Sequence, residues 1–332
     1  MADRRQVLVF AGVPLAVFAL AFAATFAYYR GPEASQARAV PGSTPRVATA
    51  TSAADASARI VIQVSAQTAE PAESYLARVA VDGSGLERIT VRPSADMLAS
   101  DAAPVVSPDG STIAFHRALA GTDKASEPHV YVVDADGSNL RRLTDRDAPE
   151  LNPSWSPDGR RVAFAAVSDG QFDLYVAARD GSDARPLVET SGADEDFVAW
   201  SPDGQTLVFA RYEPDFETGS GDLWVANADG SGERLLLGGP DDDSAPSWSP
   251  DGQRIAFLRN GHVAVMNADG SNARALTDPG DARESRPMWS ADGLRLVFAR
   301  DPGSLFVLAV GSRPAPVPLD APALSASWEP AA

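Results

Sequence analysis

The chain of 332 residues has no cysteine. That excludes disulfide staples, thiolate metal sites, a cysteine nucleophile and a lipid-modified N-terminal cysteine together. Its fold must be stabilised by an apolar core and backbone ladders alone. Histidine is scarce, with 3 residues, and Lys124 is the sole lysine in a basic set that is otherwise arginine. Positive charge is short overall: 28 Lys+Arg face 45 Asp+Glu, for a formal net charge of −17. Arg4, Arg5 and Arg30 against Asp3 make the first thirty residues net positive by two, so the remainder carries −19. A surface that acidic repels phosphate backbones and argues against nucleic acid as a partner. Catalytic signatures are missing too: there is no Gly-x-Ser-x-Gly elbow, no His-Glu-x-x-His and no phosphate-binding glycine loop.

Long apolar runs are absent except for one, Val7 to Tyr29, which carries no charge and follows Arg4 and Arg5. About 20 apolar helical residues span a bilayer core, so residues 1–30 read as a membrane anchor. The leading arginines put the N-terminus in the cytoplasm and the rest of the chain outside it. A cleaved signal peptide, with Ala21-Phe22-Ala23 as the cleavage site, is the rival reading, and it exports the chain equally. Residues 31–57, rich in Ala, Ser, Thr and Pro without apolar periodicity, read as a flexible linker.

What the sequence has in abundance is repetition. Ser-Pro-Asp-Gly occurs at 107–110, 156–159, 201–204 and 249–252, and Ser-Ala-Asp-Gly at 290–293. Five residues after each glycine stands Phe115, Phe164, Phe209, Phe257 or Phe298. Trp155, Trp200, Trp248 and Trp289 stand four residues before the last four of these glycines. A second turn interleaves: Asp82-Gly83, Asp136-Gly137, Asp180-Gly181, Asp229-Gly230 and Asp269-Gly270, each followed six residues later by Ile89, Leu143, Leu187, Leu236 or Leu276. Alternating apolar positions flank both turns, which is the period of a strand. Four antiparallel strands in each unit of roughly 41–49 residues make the blade of a β-propeller. At the ends, Arg59-Ile60-Val61-Ile62 matches a second strand, and Trp328-Glu-Pro-Ala-Ala332 matches a first strand. The expected fold is therefore all-β, a six-bladed propeller over residues 58–332, closed by its C-terminal strand.

These motifs closely resemble the Pro-Asp-type propeller repeats of the TolB family, relatives of the WD-repeat propellers. The likeness covers about residues 58–332 and lacks the α/β domain that precedes the propeller in that family. It implies an extracytoplasmic protein-binding propeller of the cell envelope.

Function is expected at the end of the blades where loop length varies. There the loops leading into each first strand are acidic: Asp145, Asp147 and Glu150; Asp194, Glu195 and Asp196; Asp241, Asp242 and Asp243; Asp278, Asp281 and Glu284. Placed around a ring, these residues would attract a basic protein partner or a hard cation such as calcium. Charged loops serve solubility as well. The turn aspartates read as caps, and the repeated tryptophans as packing between blades. His116 and His129 flank one long loop and are the histidine pair to examine for metal. No catalytic residue, cofactor site or metal ligand is assigned. The expected role is a monomeric binding scaffold, with a calcium-dependent hydrolase or lactonase and a ligand-sensing domain as alternatives.

Overall fold

The computed structural model describes residues 58–66, 73–94, 97–120, 126–213, 220–278, 280, 282–301, 303–311, 314–317, 319 and 321–330. The segment read as an anchor and the linker lie outside these residues. Among the described residues every regular element is a strand, and no helix is long and apolar enough to cross a membrane.

The first sheet holds eight strands: β1 (Arg59–Ala66), β2 (Glu73–Ala80), β3 (Glu87–Arg88), β4 (Leu98–Val106), β5 (Thr112–Ala120), β6 (His129–Asp134), β7 (Arg141–Arg142) and β24 (Ala323–Trp328). It falls into two four-stranded halves linked by the parallel bridge Ser74–Ser100. Four further sheets have four strands each. They are β8 (Glu150–Trp155), β9 (Arg161–Ser168), β10 (Gln171–Ala178) and β11 (Arg185–Val188); then β12 (Asp194–Trp200), β13 (Thr206–Tyr212), β14 (Gly221–Asn227) and β15 (Arg234–Leu237). The last two are β16 (Asp243–Trp248), β17 (Arg254–Arg259), β18 (His262–Asn267) and β19 (Arg274–Ala275); and β20 (Met288–Trp289), β21 (Arg295–Arg300), β22 (Ser304–Ala309) and β23 (Ala315–Val317). The architecture is propeller-like. β24 runs antiparallel to β1, with Ile60 opposite Trp328 and Val61 opposite Ser327.

The repeat positions form the core. Phe115, Phe164, Phe209, Phe257 and Phe298 are fully buried, as are Ile113, Val162, Leu207, Ile255 and Leu296 two residues earlier. Each such side chain contributes about 1.5–3 kcal/mol by leaving water. The tryptophans join neighbouring units. Trp155 Nε1 donates to Val105 O (3.2 Å), Trp289 to Ser247 O (3.2 Å) and Trp328 to Met288 O (3.0 Å). In each case the acceptor lies on the first strand of the preceding unit. Arginines that follow the turns cover the same rings, with Arg161 over Trp200 and Arg254 over Trp289, both 4.6 Å from the ring centre.

The Ser-Pro-Asp-Gly turns close as their chemistry dictates. Asp158 Oδ1 accepts from the Ser156 hydroxyl (2.6 Å) and the Arg160 amide (3.0 Å), while the Gly159 amide donates to Ser156 O (2.8 Å). The second turns need glycine for a steric reason as well. A Cβ on Gly181 would lie 1.8 Å from Leu143 O, and one on Gly230 1.7 Å from Leu187 O. Each of these turns presses on the carbonyl that ends the preceding unit.

First strands carry a further irregularity. In β4, β8, β12 and β16 the register slips, and Ala103, Asn152, Phe197 and Ala245 sit there with φ of 50°, 48°, 55° and 51°. A bulge of this kind re-aims the residues beside it. All four lie three residues before the tryptophan position, and in the fifth sheet that position is Arg286.

Candidate functional site

The first strands begin earlier than the loop reading supposed, and this changes what their acids do. Glu150, Asp194, Glu195, Asp196, Asp243 and Glu284, expected on solvent loops, are all buried. Asp145, Asp147 and Asp278 are exposed, and Asp241 and Asp242 are half-buried. Asp281 lies outside the described residues.

The buried acids follow a rule. An acid stands five residues before the tryptophan position and directly opposite an arginine two residues after the core phenylalanine. The opposed pairs are Asp101–Arg117, Glu195–Arg211, Asp243–Arg259 and Glu284–Arg300. Arg117 grips Asp101 through Nε–Oδ1 (2.5 Å) and Nη2–Oδ2 (2.7 Å), with both side chains 1% exposed. Arg259 grips Asp243 at 2.8 Å through each nitrogen. The guanidinium planes also lie over aromatic rings, Arg211 over Trp224 and Arg300 over Phe306, each at 4.2 Å. Two-point pairing, as at Arg117 and Arg259, and stacking, as at Arg211 and Arg300, are geometries at which arginine is favoured over lysine.

In the unit of β24 and β1 both positions are apolar, Ala323 opposite Val64, and one acid, Glu150, lacks the arginine. Ala166 stands opposite Glu150, and the cation comes from the preceding loop instead. Arg146 lies 3.9 Å over the Tyr175 ring, donates to Val167 O (3.1 Å), and brings Nε to 4.0 Å from Glu150 Oε1. Glu150 also accepts from the Thr144 hydroxyl and, at 3.1 Å, from the Val130 amide of the neighbouring unit. Glu284 repeats this with the Thr277 hydroxyl and the Val263 amide (2.8 Å). These carboxyls fasten one unit to the next.

Asp241 and Asp242 hold a loop together while facing solvent. Asn260 Nδ2 donates to Asp241 Oδ1 (2.8 Å), the Gly221 amide donates to Asp242 Oδ1 (2.9 Å), and the Asp242 amide donates to Asn260 Oδ1 (3.0 Å).

A polar column joins three first strands. Asn152 Nδ2 donates to Asp196 Oδ2 (2.7 Å), and the Asn152 amide donates to His116 Nδ1 (3.3 Å). Arg286 reaches the Pro246 carbonyl (2.8 Å) and the Val198 carbonyl (3.2 Å). Burial pushes Asp196 up to about 7, His116 down to about 4 and Arg286 down to about 10. Glu195, also by burial, rises to about 7.

The histidine pair does not converge. Arg117, not His116, lies opposite His129, so the two rings project from opposite faces of the sheet. His129 Nδ1 is engaged by Arg142 Nη2 at 2.8 Å. Among the described residues no group of three or more His, Cys, Asp or Glu side chains is placed to share a metal ion.

The alternation that locates strands in the sequence breaks at the bulge, which is why the acids ahead of it read as loop residues. Their signal was present in the spacing from acid to tryptophan and from phenylalanine to arginine.

Comparison with known proteins agrees with the geometry. The family model for the TolB beta propeller domain matches residues 84–215 and 187–313. The Tol-Pal system protein TolB of Anaeromyxobacter dehalogenans (strain 2CP-C) is 38% identical over 114 residues, 34% of this chain and 25% of that protein. Dipeptidyl-peptidase 5 of Porphyromonas endodontalis is 30% identical over 105 residues, 31% of this chain and 15% of that enzyme. The likeness thus spans a quarter or less of either relative's length. Among solved structures, TolB from Acinetobacter baumannii superposes with a TM-score of 0.65 at 22% identity, covering 83% of this chain and 68% of that one. The chain belongs to the TolB β-propeller domain family.

Proposed function

We propose that this chain is a membrane-tethered, extracytoplasmic propeller of six blades that binds a basic protein partner of the cell envelope at its acidic loop end. Reading the halves of the first sheet as two blades gives six units of four strands, with β24 completing the one that contains β1. Two features support a closed ring: the β24–β1 register and a repeated contact between adjacent turns. Gly159, Gly204, Gly252 and Gly293 lie against Pro108, Pro157, Pro202 and Pro250 of the preceding units, and Gly110 lies against Pro330 in the same way. The TolB relative is named for the Tol-Pal system, which supports an envelope setting. The matched 15% of the dipeptidyl-peptidase is too small a share to bring that enzyme's activity with it.

The observation that carries the binding reading is the division among the acids. Six are consumed inside the fold, whereas Asp145, Asp147 and Asp278 stand exposed at the loop end. Complementary charge of this kind steers a basic partner and sets its orientation. Neutralising Asp145, Asp147 and Asp278 to asparagine in the full-length chain tests it by affinity capture from envelope extracts. At about 0.2–1 kcal/mol per exposed pair, recovery of the partner should fall roughly tenfold while the fold is kept. Equal recovery of every captured protein by the triple variant and the parent would defeat the proposal.

A further inference from the structure

Trp155, Trp200, Trp248, Trp289 and Trp328 end first strands, and a guanidinium lies over every one of these rings except Trp248. Arg161, Arg254 and Arg295, each opening the second strand of the preceding unit, lie over Trp200 (4.6 Å), Trp289 (4.6 Å) and Trp328 (5.2 Å). Ahead of Trp155 that opening residue is Thr112, and Arg179, just past β10, covers the ring instead (5.4 Å). These four rings are buried. The covering arginines also reach the turn acids. Arg179 Nη1 donates to Asp109 Oδ2 (2.8 Å) and its Nη2 to the Ser111 and Thr112 hydroxyls (2.7 Å each). Arg295 Nη2 donates to Asp292 Oδ2 (3.2 Å).

At Trp248 both arginine positions hold something else. The residue opening the preceding second strand is Thr206, and the counterpart of Arg179 is Ala268. That equivalence rests on the backbone: the Arg179 amide donates to Arg160 O (2.8 Å) and the Ala268 amide to Gln253 O (2.9 Å), each just past a third strand. Among the described residues no cation lies over the Trp248 ring. It packs against the core that holds Val208, Val225 and Ile255, yet stays half-buried. The acceptors that serve Arg179 at Trp155 are nonetheless repeated here. Asp203 stands where Asp109 does, and Thr206 where Thr112 does. Asp203 Oδ1 is taken by the Ser201 hydroxyl (2.6 Å) and the Gln205 amide (3.0 Å); among the described residues its Oδ2 accepts nothing. Arg254, the cation of the adjoining turn, is committed to Trp289 and to Gly293 O (3.0 Å).

We propose that the Trp248 ring, the Asp203 carboxylate and the Thr206 hydroxyl receive an arginine side chain from a protein partner. The site lies at the turn end of the strands and does not depend on the loop-end reading above. A guanidinium is attracted to the negative face of an indole and can bond an adjacent carboxylate while it stacks. Lysine offers a point charge with neither the flat stack nor the fork, so the site favours arginine. Asp229 and Asp269, exposed on the second turns of the same two units, keep the surroundings negative and steer a basic partner toward it.

The probe is the blocked tripeptide acetyl-Gly-Arg-Gly-amide, titrated into the full-length chain while the indole N–H signals are followed by NMR. One of the 6 tryptophan signals should shift and saturate. A dissociation constant of about 1–10 mM is expected for a single side chain held by one ring and one carboxylate. The lysine counterpart should bind at least about threefold more weakly, and Asp203→Asn should weaken the arginine peptide roughly two- to fivefold. Ala268→Arg and Thr206→Arg supply the chain's own guanidinium by the routes seen at Trp155 and Trp200, and either should abolish the saturable shift. Both copy side chains that other units carry, so one remains informative if the other fails to fold. Saturable binding that persists in either folded arginine variant would overturn the proposal. Equal affinity for the lysine peptide, or a parent titration with no saturable indole shift, would overturn it too.

Discussion

The two ends of the strands use the same residue type in opposite ways. At the turn end, Asp82, Asp136, Asp180, Asp203, Asp229 and Asp269 stand in water and accept hydrogen bonds from neighbouring hydroxyls and amides, which hold their carboxyls below the usual range. At the loop end, Glu150, Glu195, Asp196 and Asp243 are withdrawn from water, and burial pushes their carboxyls up. The turn acids shape a few residues of backbone each. The loop-end acids tie strands and whole units together and leave a smaller set of charges free for contact. Acidity counted from composition does not distinguish these roles; solvent access does.

The contrast can be broken most severely at Arg117. Removing that side chain strands Asp101 in the core without its partner, and such a loss costs about 3–5 kcal/mol. Arg117→Ala should show it as a shifted denaturant midpoint, and a change below about 1 kcal/mol would mean that the loop-end pairs are dispensable. At the turn end the corresponding weak point is steric rather than electrostatic. Gly181→Ala places a Cβ against Leu143 O at a φ of +91°, and should cost about 2–3 kcal/mol. Gly311→Ala, with φ +99° and nothing within 4 Å, should cost less, and equal losses at the two sites would remove the steric part of the account. The smallest effect is expected from a turn carboxyl. Asp203 contributes stability that is present above about pH 4 and lost as pH falls below it, because its folded value lies under the ordinary 3.8. Asp203→Asn should therefore flatten the acid limb of the melting curve between pH 4 and 2. If it altered the limb above pH 6 instead, the two ends would not be electrostatically distinct.

Much of the scaffold was legible because the turn motif fixes register. Ser-Pro-Asp-Gly, with phenylalanine five residues later and tryptophan four residues before, places two strands and the corner between them. The match between the Ile60 and Trp328 segments likewise anticipated the pairing of β1 with β24. The candidate site was read less well. Glu150 to Trp155 are buried at every position, so no alternation marked that segment as a strand, and its acid was assigned to a loop. Asp243 illustrates the consequence. It looked like one of three equivalent aspartates, yet it is the buried one, gripped at 2.8 Å by two nitrogens of Arg259, while the half-buried Asp241 lies 3.5 Å from the same guanidinium and Asp242 is half-buried without it. Neutralising all three together would damage the fold as well as the surface. Arg146 had no signal at all, since a cation borrowed from a preceding loop leaves no fixed spacing to Ala166.

The pairing of β24 with β1 also bears on how the molecule comes into being. Ser325 donates to Gln63 across 262 positions of sequence, and bringing ends that distant together costs on the order of 5 kcal/mol in chain entropy. A ribosome releasing roughly 5–20 residues per second would expose the Ile60-Val61-Ile62 segment for many seconds before its neighbour exists. That apolar strand stays unpaired along one side until then, and a chaperone holding it during synthesis would shield an open strand edge.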